Sequence, residues 1–367
     1  MQLLSAFRCR GLTLRNRVVM APMTREHAPH GIPTQAMQNY YQRRAAGGTA
    51  LIISEGAAPE LSGSFGARVP HFFGTEALQG WQRIGAAVHQ SGAAIFAQLW
   101  HVGAFDPSLI GMQDSLDPKP VRLSPSGLAA PGRPLGSTMT SANIDAAITT
   151  FGHSAAAARD IGFDGVEIHG AHGYLPDQFL WAGTNRRIDR YGGDLNARTR
   201  FAADLVSECR RRVGPDFVLS FRLSQWKQLD YNARIAQSPE ELKIIVEALS
   251  NAGVDIFHCS ARRYWEAAFD GSALSLAGWV RKLSGKPTIA VGSVTLGNDF
   301  KSADGKRNAK AAPEQIEDIE RRLSEGEFDL IALGRALLAN PDWVHLVEAG
   351  RAHELKGFSK SHLETLS

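Results

Sequence analysis

The sequence predicts an α/β fold: a (β/α)8 TIM barrel with an N-terminal hairpin and a long lid-like insertion after the third strand. Three observations predict it. Eight short apolar segments alternate with eight helical patterns along 367 residues, and alternation with short connections implies parallel strands joined by helical crossovers. Polar or conformationally special residues recur at the C-terminal ends of those segments, the rim where such barrels gather their chemistry. No Gly-x-Gly-x-x-Gly follows any strand, which counts against the competing open, doubly wound sheet. The length suits one barrel domain over 1–367 with insertions, and 44% apolar residues are enough for a large core.

Taken in order, residues 3–16 read as a short hairpin and 17–21 as the first barrel strand. Residues 34–46 read as a helix that Thr34 caps and Gly47 stops. The second strand is 50–54. The helix over 75–91 sets Leu78, Trp81, Ile84 and Val88 on one face before Gly92. The third strand is 93–99. Residues 100–140 then break the rhythm, rich in Pro, Gly and Ser and without a helical pattern. A stretch this long inside a compact domain is commonly an active-site lid, and it leaves the end of the third strand where chemistry would sit.

Alternation resumes with a helix over 143–160 and the strand that begins at Gly165. A helix at 198–213 precedes a strand at 217–223. The next helix has the clearest signature: Ser238 as cap, Pro239 in the first turn, Glu241 completing a capping box and Gly253 as stop. A strand at 254–259, a helix at 275–283 and a strand at 287–291 follow. Residues 298–312 read as a mobile, charged loop. A helix at 313–324, a strand at 328–333 and helical pieces at 336–338 and 341–348 complete the barrel. The last ten or so residues read as a loosely held tail.

Composition excludes several functions. Forty basic and 37 acidic residues leave a net charge of +3, with the arginine pairs scattered. A nucleic-acid surface needs such charges clustered, so none is expected; a small anionic ligand fits. Cys9, Cys209 and Cys259 form no Cys-x-x-Cys motif, so no metal or iron–sulfur ligand set is visible. The first apolar run is too short for a signal peptide, and none approaches the ~20 residues of a membrane span. The expectation is a cytoplasmic protein with reduced thiols and no membrane contact.

The most informative stretch is Gly165-Val166-Glu167-Ile168-His169-Gly170-Ala171-His172-Gly173-Tyr174. By strand alternation Val166 and Ile168 share one face, Glu167 and His169 the other. The glycines are expected to break the strand, so that His172 and Tyr174 follow in a tight turn. Imidazole N–H groups can hold an oxygen that gains negative charge. A phenol stays protonated at neutral pH and can give up a proton. Other strand ends carry Pro22, Met23 and Thr24; Glu55 and Gly56; Gln98 and Trp100; Arg222; and Cys259-Ser260. Gly292-Ser293 and Gly334-Arg335 end the last two strands, with Ala336 opening a short helix. Loops after strands seven and eight, with a short extra helix, are the common barrel phosphate site.

With these motifs the sequence resembles the flavin-dependent old yellow enzymes, or ene-reductases, from about Leu3 to Val347. The resemblance rests on Leu14-Arg15-Asn16-Arg17 through Ala21-Pro22-Met23-Thr24-Arg25, on the Gly165–Tyr174 motif with Asn185-Arg186-Arg187 and Tyr191-Gly192-Gly193, on Gln98-Leu99-Trp100-His101-Val102-Gly103 and on Ala332-Leu333-Gly334-Arg335. It implies FMN at the barrel mouth, with Pro22, Met23, Thr24, Gly56 and Gln98 lining the isoalloxazine and Arg222 beside its N1 and O2. Gly292, Ser293, Gly334 and Arg335 would hold the phosphate. His169 and His172 would grip a substrate carbonyl, Tyr174 would donate the proton, and Trp100 would line the substrate site. NADPH or NADH would supply hydride for an electrophilic alkene. Thr24 departs from the cysteine of some members, and Ala104 from a usual arginine. The cysteine cluster of the iron–sulfur relatives is not seen, which argues against a dienoyl-CoA reductase or amine dehydrogenase of that branch.

Other readings stand beside this one. His169 and His172 with Glu167 as third ligand would make a metal-dependent barrel hydrolase or lyase. A non-catalytic flavin-binding protein would keep the same fold. Arg222 alone has a second reading as an interior ion-pair partner of Glu167, and Tyr264 and Trp265 read as pocket residues or as loop packing.

Overall fold

The computed structural model describes residues 1–110, 115–298 and 308–366. Eight parallel strands close a barrel in chain order: β1 (Val18–Met20), β2 (Leu51–Ile53), β3 (Ala94–Leu99), β4 (Gly165–His172), β5 (Val218–Lys227), β6 (Ile256–Ser260), β7 (Thr288–Val291) and β8 (Leu330–Leu333), with β8 pairing back onto β1. Around it run α1 (Gln35–Ala46), α2 (Thr75–Gln90), α3 (Ser141–Asp160), α4 (Leu195–Val213), α5 (Pro239–Ala252), α6 (Leu276–Ser284), α7 (Gln315–Ser324) and α8 (Trp343–Glu348). Two short helices, Leu175–Leu180 and Arg335–Ala339, follow β4 and β8 on the rim.

Period-two alternation separates two cores. Val19, Leu51, Ile53, Phe96, Val218, Ile256, Ile289 and Leu330 fill the barrel interior, while their strand neighbours Val18, Ile52, Ile95, Leu219 and Phe257 pack against the helices. Phe7, Leu12 and Leu14 of the hairpin join the interior cluster. They meet residues from the strand starts, so the hairpin closes the N-terminal end. Toward the other end the inward positions turn polar: Gln98, Glu167, His169, Ser220, Arg222, His258 and Ser260 are all buried.

The helix starts follow their caps. Thr34, Asp194, Ser238 and Ser275 each accept a hydrogen bond from the backbone two or three residues into the helix. α3 starts earlier than expected because Thr140 and Asn143 form a reciprocal capping box, at 3.2 and 2.9 Å. The box expected at Ser238 is incomplete. The Glu241 carboxylate accepts from the N–H of Gln237, one residue before the cap, at 2.6 Å.

Residues 100–140 are not free of structure. They hold a 3-10 turn (Pro107–Ile110) and two small strand pairs, Leu123–Ser124 with Ser137–Thr138 and Leu128–Ala130 with Arg133–Pro134. The tail is more firmly held than expected. Phe358 pairs with Ala309, and the buried Arg25 donates to the carbonyls of His362 and Thr365 at 3.1 and 2.7 Å. The mobility expected of 298–312 falls largely on 299–307, outside the described residues.

Candidate active site

β4 builds the centre of the site, and it does not end at its glycines. Gly170 lies so close to Phe221 of β5 that a Cβ would sit 2.1 Å from the ring, which only glycine permits. The strand continues to His172, but its pairing with β5 slips: Gly170 lies opposite Leu223, and His172 opposite Lys227. His172 adopts a φ of 66°. The slip and the left-handed turn bring the imidazoles of His169 and His172 together, with centroids 5.1 Å apart and planes at 83°. The Tyr174 ring is 4.9 Å from His169.

Two of the three are held from outside the motif. The N–H of His172 donates to Ser224 Oγ at 3.0 Å, its Nε2 is 2.8 Å from Ser260 Oγ, and its ring lies 4.4 Å from that of Trp226. Tyr174 packs edge-on against Trp100 and Phe105, at 5.0 and 5.1 Å. Trp100 in turn rests on Gly56, where a Cβ would come within 2.6 Å of the indole. Gln178 pins the turn to the segment after β3, donating to the carbonyls of Val102, Ala104 and Gly173.

Electrostatics set the protonation states. Burial, with the charge of Arg222 behind it, holds His169 and His172 well below the ordinary imidazole value, so both are neutral and each has one N–H to give. Burial pushes the Tyr174 hydroxyl up, so it keeps its proton. Deeper in the barrel, Glu167 accepts from Gln98 Nε2 at 2.8 Å, Ser220 Oγ at 3.1 Å and His258 Nδ1 at 2.7 Å. Burial alone would raise its carboxyl. His258, Arg222 and the Gln98 amide together bring it below the usual carboxylate range.

The remaining sequence-predicted residues lie around this centre. Pro22, Met23 and Thr24 are half-buried after β1. A Cβ on Gly334 would lie 3.4 Å from the sulfur of Met23, so the rims of β1 and β8 adjoin. Ser293 and Arg335, at the ends of β7 and β8, both reach the carbonyl oxygen of Asn298, at 3.1 and 2.8 Å, with the single Ser293 hydroxyl proton shared with the Arg262 carbonyl at 3.0 Å. The two donors expected to hold a phosphate thus converge on one oxygen. Several polar atoms are buried here without a partner among the described residues: Arg222 Nε, His169 Nδ1, His258 Nε2 and Trp100 Nε1. Buried polar groups are rarely left unpaired. A flat, polar-edged ligand with a phosphate tail fits this set of donors and acceptors.

Some expectations change. Among the described residues no ion pair joins Arg222 to Glu167; His258 holds that carboxylate instead. Tyr264 is loop packing, its hydroxyl donating to Asp318 at 2.9 Å. The oxygens of Glu167 are engaged by Gln98, Ser220 and His258. Among the described residues no three His, Cys, Asp or Glu side chains group as metal ligands. Sequence reading missed His258, Trp226, Gln178 and the Asp177–Lys227 pair. Strand alternation pointed to His258, since it lies two residues before Ser260 on the same face.

Comparison with known proteins places the chain in a family. The family model of the NADH:flavin oxidoreductase / NADH oxidase family matches residues 3–354. The chain belongs to this family. It is 33% identical over 365 residues to an NADH oxidase of Thermoanaerobacter brockii, covering 96% of this chain and 52% of that protein, so it spans about half that relative's length. It is 32% identical over 364 residues to 12-oxophytodienoate reductase 7 of Oryza sativa subsp. japonica, covering 93% and 86%. Among solved structures, morphinone reductase in complex with tetrahydroNAD superposes with a TM-score of 0.81 at 26% identity, over 99% of this chain and 94% of that one. The old yellow enzyme homologue from Zymomonas mobilis superposes with a TM-score of 0.79 at 27% identity, over 99% and 96%. The protein is an NAD(P)H-dependent flavin oxidoreductase of the old yellow enzyme type, and FMN is the cofactor of this family. No helix among the described residues is long and apolar enough to cross a membrane.

Proposed function

We propose that the protein is an ene-reductase that uses NADPH or NADH to reduce the C=C bond of an α,β-unsaturated carbonyl compound or a nitroalkene. The observation that carries this reading is the cluster of two neutral imidazoles and a protonated phenol on the barrel rim, with ring centroids 4.9, 5.1 and 6.5 Å apart. Relatives named as reductases of 12-oxophytodienoate and morphinone support it. Pro22, Met23, Thr24, Gly56, Gln98 and Arg222 would hold the ring of FMN, and Gly292, Ser293, Gly334 and Arg335 its phosphate.

Bound FMN would supply the hydride chemistry, taking hydride from the nicotinamide and passing it to the β-carbon of the alkene. The side chains do the rest. His169 and His172 each direct one N–H at the substrate oxygen, where negative charge develops as hydride adds. Their neutrality matters, because a neutral imidazole stabilises that charge without handing over a proton prematurely. Tyr174 gives its proton to the α-carbon, and solvent returns it. Trp100 and Phe105 pack on Tyr174 and keep water from competing with it. The insertion over 100–140 acts as the lid. The three cysteines are free, as a reducing cytoplasm would keep them.

The test is the absorption spectrum of the purified protein, followed by anaerobic turnover of a simple cyclic enone with NADPH and NADH. A yellow protein that consumes the enone in step with the coenzyme is expected. A yellow protein inert toward enones and nitroalkenes would leave the non-catalytic reading. A colourless, zinc-bearing protein would favour the hydrolase.

A further inference from the structure

Glu167 is the most highly connected side chain of the polar barrel interior, yet the proposed mechanism does not use it. It is fully buried, as is His258. A carboxylate can only accept hydrogen bonds. Gln98 must therefore turn its NH2 toward Glu167. The Gln98 oxygen is then directed to whatever occupies the site. The same logic fixes His258: its Nδ1 carries a proton for Glu167, whose second oxygen also accepts from Ser220. Arg222 and His258 are register partners on β5 and β6, and each has a buried nitrogen, Nε and Nε2, without a partner among the described residues.

We propose that Glu167 and His258 are a positioning pair for the flavin site. Glu167 sets the direction of the Gln98 amide, so that its oxygen meets a donor N–H on the pyrimidine edge of the ring. It also places a fixed negative charge beside Arg222, which moderates that cation's pull on the flavin. His258 holds the second oxygen of Glu167 and keeps the carboxylate in one orientation. This rests on the flavin site proposed above and assigns a task to two residues that need not touch the substrate.

The test uses the full chain with FMN bound and compares Glu167→Gln, His258→Ala and His258→Asn with the wild type. Two quantities are read: FMN loss on dilution and the flavin midpoint potential. In Glu167→Gln a buried negative charge is removed, so the potential should move to a more positive value. Its amide no longer dictates how Gln98 points, so FMN should bind about tenfold more weakly, the upper end of the worth of one neutral hydrogen bond. His258→Ala should weaken FMN by a similar factor. His258→Asn should restore it, because the Asn amide N–H reaches the place of Nδ1–H. An unchanged potential in Glu167→Gln, or equal FMN loss in His258→Ala and His258→Asn, overturns the proposal. If Glu167→Gln does not fold, the two His258 variants decide it. A wild-type protein that binds no FMN would instead overturn the flavin reading itself.

Discussion

Lys227 Nζ lies 2.7 Å from Asp177 Oδ1, both side chains being within 1% of full burial, behind the turn that carries His172 and Tyr174. The other Asp177 oxygen accepts the N–H of Gly173 at 2.6 Å, and Lys227 also donates to the Ser224 carbonyl. The pair therefore ties the end of β5 to the turn of His172 and Tyr174. Removing one partner leaves the other charge buried and alone, at a cost of about 3–5 kcal/mol. Asp177→Asn and Lys227→Met should each lower the urea midpoint strongly. The double variant Asp177→Asn/Lys227→Met should lose less than the sum, since no lone charge remains. Additive losses would show that the two side chains act separately.

The phosphate site is tested at Arg335. Its guanidinium and Ser293 Oγ already share one acceptor, the Asn298 carbonyl. Arg335→Ala removes a charge-assisted contact worth about 1.5–3 kcal/mol. FMN binding measured by fluorescence should weaken by roughly 10–100-fold. Wild-type retention of FMN would move the phosphate elsewhere.

Tyr174 and His172 separate the two half-reactions. Tyr174→Phe keeps the ring that packs on Trp100 and loses only the acid. Stopped-flow reduction of the flavin by nicotinamide should be nearly unchanged, while the enone step should slow by about 10²–10⁴-fold. Nitroalkenes should suffer less, because their product can be protonated in water. His172→Ala removes a donor to the developing oxyanion, so enone binding and turnover should both fall. Equal losses in both half-reactions for Tyr174→Phe, with FMN bound, would remove Tyr174 as proton donor.

Glu55 predicts a pH dependence of stability. It is buried at the end of β2, accepting from the N–H of Arg25 at 3.0 Å and from the Tyr41 hydroxyl at 3.2 Å. Burial pushes its carboxyl up from 4.5 to about 7. A raised folded value means that the native state binds the proton more tightly than the unfolded chain. Its contribution is full below about 4.5 and is lost as pH rises through about 7. The loss amounts to as much as about 3 kcal/mol. Denaturant unfolding at several pH values should show wild type losing stability across that window relative to Glu55→Gln. Parallel curves for the two proteins would rule the effect out.

The barrel was legible because its signals are local. Alternating apolar residues, caps such as Thr34 and Ser238 and stops such as Gly253 act within one element, and each lies where it was expected. The same holds for the face shared by Glu167 and His169. The firmness of the tail was not legible, because Arg25 grips it from about 340 residues away in sequence.

By itself, then, the sequence determined the eight-fold alternation, the rim that bears the polar residues, and the identity of the residues gathered there. Those follow from backbone periodicity and side-chain chemistry, which are properties of short stretches. Tertiary structure alone decided how His172 meets His169. Period two from His169 points Ala171, not His172, into the barrel; the slipped pairing against β5, the Gly170–Phe221 contact and the φ of 66° reverse that. It also decided that Glu167 answers to His258 rather than to Arg222. Both outcomes depend on contacts between neighbouring or next-neighbouring strands, set by barrel closure and register, and no single segment carries that information.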